Sequence, residues 1–265
     1  MNATDWSERV VVVTGGGSGI GAGIVEEFCG VGAKVVVADI SMDAAAETAA
    51  RTGTVPIQVD VANSASVTAL AAEVVSRMGR VDVVVNNAGV GPAARLADMT
   101  LDDWRWLIGV DLFGVIHGLV AFLPHLEANP TGGRFVVTSS MSGYAPMSPL
   151  GGYAVAKAGI SALAEVLADE LAVSGSKVGV TVLAPGPVVS RISDSQRSRG
   201  IAGASGFIGF APDAPDEAFL QPRDVGRLLR EAIERDQELV PTHPQLWPRI
   251  AERYRRIADA FGASG

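Results

Sequence analysis

The sequence predicts a doubly wound α/β fold, with a central parallel sheet flanked by helices on both faces. Three observations carry that prediction. Short valine-rich runs recur at Val10–Thr14, Lys34–Asp39, Val55–Val59, Val81–Val85, Arg134–Thr138 and Val178–Leu183, separated by longer amphipathic segments. The runs are apolar at nearly every position, which suits strands covered on both faces rather than a sheet with one wet side. The first run passes directly into the glycine-rich stretch from Thr14 to Gly23, where a βα unit makes its first turn.

Each element follows from local chemistry. Val10–Thr14 reads as a buried strand, and the helix after the glycines carries Cys29, expected as a small buried hydrophobe. Lys34–Asp39 is a second strand closed by an acidic residue. Asp43–Arg51 and Ser64–Met78 are alanine-rich helices, with Ser64 a candidate N-cap and Gly53 and Gly79 placed where helices stop. Val55–Val59 and Val81–Val85 supply the third and fourth strands. Trp104–Gly118 is a long helix whose Trp104 and Trp106 are packing residues, and Gly152–Ala172 is another helix lying between strands Arg134–Thr138 and Val178–Leu183. The rhythm then breaks. Residues 187–221 are rich in glycine and proline yet contain Ile201, Phe207, Ile208, Phe210 and Phe219, a composition that favours a substrate-covering lid over a solvated linker. A C-terminal helical segment is expected at 243–261, and its Arg249, Arg253, Arg255 and Arg256 read as a solvated or subunit-contact face. Residues 1–265 are expected to form a single domain.

Composition narrows the function. The 265 residues are 48% hydrophobic, enough for a sizeable core, and the formal charge of −8 argues against a nucleic-acid surface. The single cysteine precludes an intramolecular disulfide and fits a reducing, cytoplasmic compartment. No basic N-terminal region leads into an apolar stretch, and no uninterrupted apolar run reaches membrane-spanning length, so neither a signal peptide nor a membrane span is expected. His117, His125 and His243 lack ligand spacing, so no metal site is expected.

In an open α/β sheet, ligands bind beyond the carboxyl ends of the strands, and a pyrophosphate lies on helix N–H groups at the first strand–helix turn. Two glycine registers run through that turn, Gly15 with Gly19 and Gly21, and Gly17 with Gly19 followed by Ala22. A glycine-rich turn without a ligand is the bland alternative. Asp39 weighs against it, because an acidic side chain at the end of the second strand accepts hydrogen bonds from ribose hydroxyls. The same carboxylate would repel a 2′-phosphate, and no Arg or Lys stands in the turn or directly after Asp39 to offset it. NAD is therefore predicted over NADP.

Tyr153 and Lys157 lie one helical turn apart and share a face. A phenol titrates at roughly 10 unperturbed, and an ammonium beside it favours the phenolate, which makes tyrosine a usable general acid/base. Tyr-x-x-x-Lys alone is common decoration. Here it follows the strand ending Val137-Thr138-Ser139-Ser140, at the same carboxyl edge as the glycine turn. Ser140 can donate a hydrogen bond to a carbonyl or alkoxide oxygen. Ser139 is the weaker candidate, since adjacent strand residues face opposite ways.

Taken together, the sequence resembles the classical short-chain dehydrogenase/reductase family from about Val10 to Ser190. The motifs that carry the likeness are Thr14-Gly15-x-x-x-Gly19-x-Gly21, Asp60-Val61, Asn86-Asn87-Ala88-Gly89, Ser140, Tyr153-x-x-x-Lys157, and Pro185-Gly186-Pro187-Val188-Val189-Ser190. The resemblance favours the Gly15, Gly19, Gly21 register and implies a single Rossmann-type domain. It also implies a nicotinamide cofactor and hydride transfer between a secondary alcohol and a ketone. It further implies that Ser18, Ile20 and Gly89 belong to the cofactor site, that Asp60 and Val61 contact adenine, and that Asn87 lies by the adenine-side ribose. By the same likeness Tyr153 and Lys157 belong to the cofactor site as well, Lys157 contacting the nicotinamide ribose and also Tyr153, while Pro185, Gly186, Val188 and Ser190 sit at the nicotinamide, Val188 and Ser190 holding its carboxamide. A homo-oligomer, tetramer or dimer, through the helices bearing the Asn and Tyr/Lys motifs is implied as well. One residue departs from the pattern. Asp111 stands where the family usually has an Asn that helps to hold a water beside the lysine; Asp keeps an acceptor but loses the amide donor. Asp111 is expected to be tolerated among the catalytic residues. The apolar lid, with Met141, Met147, Leu150 and Trp247, suggests a hydrophobic alcohol or ketone substrate. The competing reading is an NAD-binding regulatory or scaffold protein with weakened catalysis, for which Asp111 is the sequence hint.

Overall fold

A computed structural model describes residues 5–190, 192, 207–208 and 219–263. Seven parallel strands form the central sheet: β1 (Val10–Thr14), β2 (Lys34–Asp39), β3 (Val55–Gln58), β4 (Val83–Asn86), β6 (Arg134–Thr138), β7 (Gly179–Ala184) and β9 (Leu239–Pro241). Their order is β3-β2-β1-β4-β6-β7-β9. A short antiparallel pair, β5 (Ala93–Ala94) with β8 (Phe207–Ile208), lies apart. The helices are α1 (Gly19–Gly30), α2 (Met42–Thr52), α3 (Ser64–Met78), α4 (Leu101–Ile108), α5 (Gly114–Glu127), α6 (Met141–Tyr144), α7 (Gly151–Ser174), α8 (Pro222–Glu234) and α9 (Trp247–Ala260).

The all-apolar strands are explained by a core on each side. Val10 and Val12 of β1 join Phe122 and Leu126 of α5 and Ile160 and Leu167 of α7. Val11 and Val13 point the other way, onto Ile24 and Phe28 of α1 and Val225 and Leu229 of α8. The four valines are at most 1% exposed, and each contributes on the order of 1.5–3 kcal/mol by burial. Helix α8 reaches α1 closely because Gly23 has no side chain: a Cβ there would lie 2.2 Å from the Pro222 carbonyl carbon.

Helix boundaries differ from the sequence reading in informative ways. Asn63, not Ser64, caps α3, its Oδ1 accepting from the backbone N–H groups of Ala65 and Ser66, while Ser64 is the first helical residue. Both residue types favour the N-cap, so neighbouring candidates compete and the longer side chain spans two donors here. Gly53 and Gly79 end α2 and α3 in the left-handed conformation. Cys29 is half-buried, and its thiol donates to the Thr52 carbonyl. The predicted Trp104–Gly118 helix is longer, running as α4, a π-helical turn at Gly109–Phe113 and α5. That run, Leu101–Glu127, is long and apolar enough to cross a membrane by length and composition alone. Asp111, His117 and His125 interrupt it, so it escapes a search for unbroken apolar sequence, and one side packs Leu107, Val115, Phe122 and Leu126 into the protein. Strand β9 is absent from the sequence reading because it has three residues, of which only Val240 is buried.

Parallel strands deliver their C-termini to one edge. Thr14, Asp39, Asn86, Thr138 and Ala184 all end strands there.

Candidate active site

At the end of β1, Gly15 takes φ +63°, and a Cβ on it would lie 2.8 Å from the Ala88 Cα. The chain leaving β4 is fastened to this turn. Thr14 Oγ1 accepts from the N–H groups of Asn87 (3.0 Å) and Ala88 (3.2 Å), while Asn87 Nδ2 donates to the Thr14 carbonyl at 3.1 Å. Gly21 lets α1 begin against the turn, since a Cβ there would meet the Gly15 oxygen at 2.0 Å. Gly19 takes φ +51°, and among the described residues a Cβ there would meet only Ser190, at 3.3 Å. Positive φ at Gly15 and Gly19, with the close approach at Gly21, matches that register. Gly17 serves another purpose: its N–H donates to Asp39 Oδ2 at 2.9 Å.

Ser18 stands at the N-cap of α1, is exposed and makes no side-chain capping bond, and the first turn of the helix holds no acidic residue. Its leading N–H groups thus form a positive helix end without an anionic side chain of its own, suited to a phosphate. Ile20 packs against the α1 side of the core. Asp39, its second oxygen accepting from Ser41 N–H at 3.0 Å, stands beside this turn. Asp60 is exposed, and Val61 is buried with its carbonyl 2.9 Å from His117 Nδ1.

The catalytic candidates converge at the ends of β4 and β6. Ser140 caps α6, accepting from Ser142 N–H at 3.1 Å and donating weakly to the Pro185 carbonyl at 3.4 Å. Ser139 faces away, its hydroxyl bonded to the Lys157 carbonyl and to Ser161. Tyr153 and Lys157 sit one turn apart on α7, with Nζ 5.4 Å from the phenol ring centroid. Lys157 is buried; Nζ donates to the Thr138 carbonyl at 3.0 Å and pairs with Asp111 Oδ2 at 3.2 Å. Asp111, in the π-helical turn, is fully buried, and its Oδ1 accepts from Val90 N–H at 2.7 Å. Gly89 leaves room for the pair, for a Cβ there would lie 3.3 Å from Nζ.

The electrostatics of this group are coupled. Burial pushes the Tyr153 phenol above its ordinary value; Lys157 and a Ser140 hydrogen bond pull it down, and Asp111 pushes it up. For Lys157, burial works against the ammonium, but Asp111 and Tyr153 outweigh it and hold its pKa above the usual lysine value. Burial raises the Asp111 carboxyl against the pull of Lys157 and the Val90 amide. Lysine therefore favours the phenolate as its charge requires, while the surroundings oppose it more strongly in this arrangement.

Pro185 and Gly186 follow β7, and the Pro185 carbonyl accepts from Met141 N–H at 2.9 Å. Val188 bridges to Leu220, and Ser190 closes on Gly19. Of the expected lid, residues 191, 193–206 and 209–218 lie outside the described residues. Sequence reasoning missed Thr138, whose carbonyl holds Lys157, and Val90, whose amide holds Asp111, because a backbone group carries no residue signature. It also left Thr242 unremarked, although its hydroxyl accepts from Gly186 N–H. Among the described residues, no group of three or more His, Cys, Asp or Glu is placed to hold a metal ion.

Known proteins resemble this chain in sequence and in fold. The short chain dehydrogenase family profile matches residues 9–200. A probable oxidoreductase of Mycobacterium tuberculosis, EphD, is 38% identical over 192 residues, 71% of this chain; the match spans only 32% of that protein's length. A C alpha-dehydrogenase of Sphingobium sp. is 28% identical over 268 residues, covering 97% of this chain and 87% of that one. A short chain dehydrogenase/reductase of Burkholderia phymatum, solved in complex with NAD, superposes with a TM-score of 0.86 at 30% identity, covering 96% of this chain and 95% of the other.

Proposed function

The chain belongs to the short chain dehydrogenase family, and on that premise we propose that it interconverts a secondary alcohol and a ketone with NAD, using Tyr153 as general acid/base. The observation that carries the reading is the meeting of Ser140, Tyr153 and Lys157 at the strand edge that also bears the glycine turn. The cofactor site fits NAD on its own evidence: the turn has no side chains where a pyrophosphate would approach, α1 offers uncapped N–H groups, and Asp39 stands beside it.

Bound NAD+ supplies the hydride acceptor for alcohol oxidation. The residues supply the rest. Ser140 donates a hydrogen bond to the substrate oxygen and holds it beside Tyr153. The Tyr153 phenolate takes the hydroxyl proton as the carbon loses hydride, leaving a ketone and a neutral phenol; reduction returns that proton to the oxygen. Lys157 steadies the phenolate, and Asp111 with the Thr138 carbonyl fixes Lys157 in place. In this reading Asp60, Val61 and Asn87 serve the adenine half of the cofactor, and Val188 and Ser190 the nicotinamide half.

The substrate is a small organic molecule, and the apolar composition of the lid favours a hydrophobic alcohol or ketone. Our reading also takes residues 1–265 as one catalytic domain, working in the cytoplasm. It assembles as a dimer or tetramer through α5 and α7, whose Val120, Val155 and Val166 present apolar surface outward. A second reading, cofactor binding with weakened catalysis, draws on the direct contact of the Asp111 carboxylate with Lys157. A turnover screen of diverse secondary alcohols with NAD+ tests both, with Tyr153→Phe as control. NADH production that is lost in the variant supports the enzyme, and NAD+ binding without turnover across the panel supports the second reading.

A further inference from the structure

Two buried side chains outside the residues matched by the family profile grip the turn that follows β7. Strand β9 pairs with β7 so that Pro241 lies opposite Ala184, and the next two residues, Thr242 and His243, are thereby carried against Pro185 and Gly186. Thr242 N–H donates to the Ala184 carbonyl at 3.2 Å. Its Oγ1 accepts from Gly186 N–H at 3.1 Å and stands 2.6 Å from His243 Nδ1. The imidazole packs against Gly186, where an added Cβ would lie 2.6 Å from the ring's Cγ. Thr242 is 7% exposed and His243 2%. On the other side of the same turn, the Pro185 carbonyl is held by Met141 N–H and Ser140 Oγ. The turn is thus fixed from the catalytic serine on one side and from Thr242 and His243 on the other.

We propose that Thr242 and His243 are positioning residues for the nicotinamide half of the cofactor site. The inference rests on the reading above, in which Val188 and Ser190 hold the carboxamide. Those residues lie two and four positions beyond Gly186 in the same short segment. Unlocking the half-buried Gly186 amide takes away its acceptor and lets the segment shift. The glycine turn at β1 and Asp39, which serve the other half of the dinucleotide, are fastened instead by Asn87 and by the Gly17 and Ser41 amides.

Calorimetric titration with two ligands separates the halves, since ADP-ribose lacks the nicotinamide. In Thr242→Val and His243→Leu, the Kd for NAD+ should rise about fivefold or more while that for ADP-ribose stays within about twofold. His243→Asn should bind NAD+ within about threefold of the unaltered protein, because its amide can donate or accept at the Nδ1 position. The double variant Thr242→Val/His243→Leu should be no weaker than the worse single variant, as expected for two parts of one device. Equal weakening toward both ligands, or unchanged NAD+ affinity, overturns the proposal. If His243→Leu does not fold, the nearly isosteric Thr242→Val decides by the same criterion. Unaltered protein that binds neither ligand overturns the cofactor reading itself, a result distinct from the loss of selectivity between the two.

Discussion

Asp111 and Lys157 form an ion pair of 3.2 Å closed off from water, with the carboxylate fixed by the Val90 amide and the ammonium by the Thr138 carbonyl. The carboxylate holds Lys157 protonated and at the same time raises the Tyr153 phenol. Alcohol oxidation needs the phenolate, so its rate climbs as pH rises through the Tyr153 pKa. Asp111→Asn removes the upward push from that carboxylate. The rising limb of kcat/KM against pH should therefore move to lower pH. At the optimum, kcat should change by less than about tenfold, a barrier difference of about 1.4 kcal/mol. A pH–rate series on both proteins checks this, and an unmoved or alkaline-shifted limb would refute it.

Breaking the pair from the other side should harm the fold as well as the chemistry. Lys157→Met strands the Asp111 carboxylate, which is fully buried. Removing one partner of a buried pair costs about 3–5 kcal/mol. Denaturant unfolding should show a loss of that order, reduced when Asp111→Asn is added, because the amide carries no charge to strand. A Lys157→Met protein as stable as the parent would mean that the pair contributes nothing to the fold.

Tyr153→Phe keeps the ring and deletes the proton donor. Turnover should fall by about a hundredfold or more, the span of general acid/base catalysis. NAD+ affinity should change by less than about threefold, because the phenol hydroxyl is one cofactor contact among many whereas proton exchange with the substrate oxygen depends on it alone. Steady-state kinetics with an equilibrium titration of NAD+ separates the two. A variant that retains more than a tenth of the activity would remove Tyr153 from its assigned role.

What could be read from the chain and what could not divide along a physical line. Val10 to Val13 announce a strand buried on both faces because each side chain meets a core, whereas β9 buries only Val240 and leaves no pattern. Tyr153 and Lys157 are visible as a pair because helical spacing converts sequence distance into contact. The ion pair to Asp111 is a different matter: the π-helical turn at Gly109–Phe113 is a backbone event, and nothing in residue type forecasts how it aims the carboxylate. The Thr138 carbonyl and the Val90 amide are silent for the same reason. Thr242 reaches the site through strand pairing across the sheet's edge, a relationship that exists only once the fold is assembled.

The glycines of the first turn should respond unequally. At Gly21 a Cβ would sit 2.0 Å from the Gly15 oxygen, and no flexible side chain can yield there. Gly21→Ala should therefore disrupt the turn and lower the melting temperature markedly. Among the described residues Gly19→Ala meets only Ser190, at 3.3 Å, so its cost is the left-handed backbone, roughly 1–2 kcal/mol. That variant should fold and yet bind NAD+ poorly, since its methyl group occupies the space a phosphate would approach. Thermal melts and NAD+ titrations of both variants test the contrast, and a Gly19→Ala protein with full affinity would move the pyrophosphate elsewhere.

Asp39 should set the cofactor preference. Its two oxygens accept from the Gly17 and Ser41 amides, which fixes the carboxylate at the lip of the glycine turn. A 2′-phosphate arriving there would meet a like charge with no lysine or arginine in the turn to neutralise it. The kcat/KM for NAD should accordingly exceed that for NADP. Asp39→Ser keeps a short polar acceptor but removes the charge, so the ratio should narrow by at least about tenfold, corresponding to about 1.4 kcal/mol of relieved repulsion. Most of the change should come through the KM for NADP, because repulsion acts on binding rather than on the transferring hydride. The preference for NAD should also shrink at high salt in the unaltered protein, because the half-exposed Asp39 charge is partly screened. A preference for NADP in the unaltered protein would show that some other group neutralises the phosphate and that Asp39 does not govern the choice.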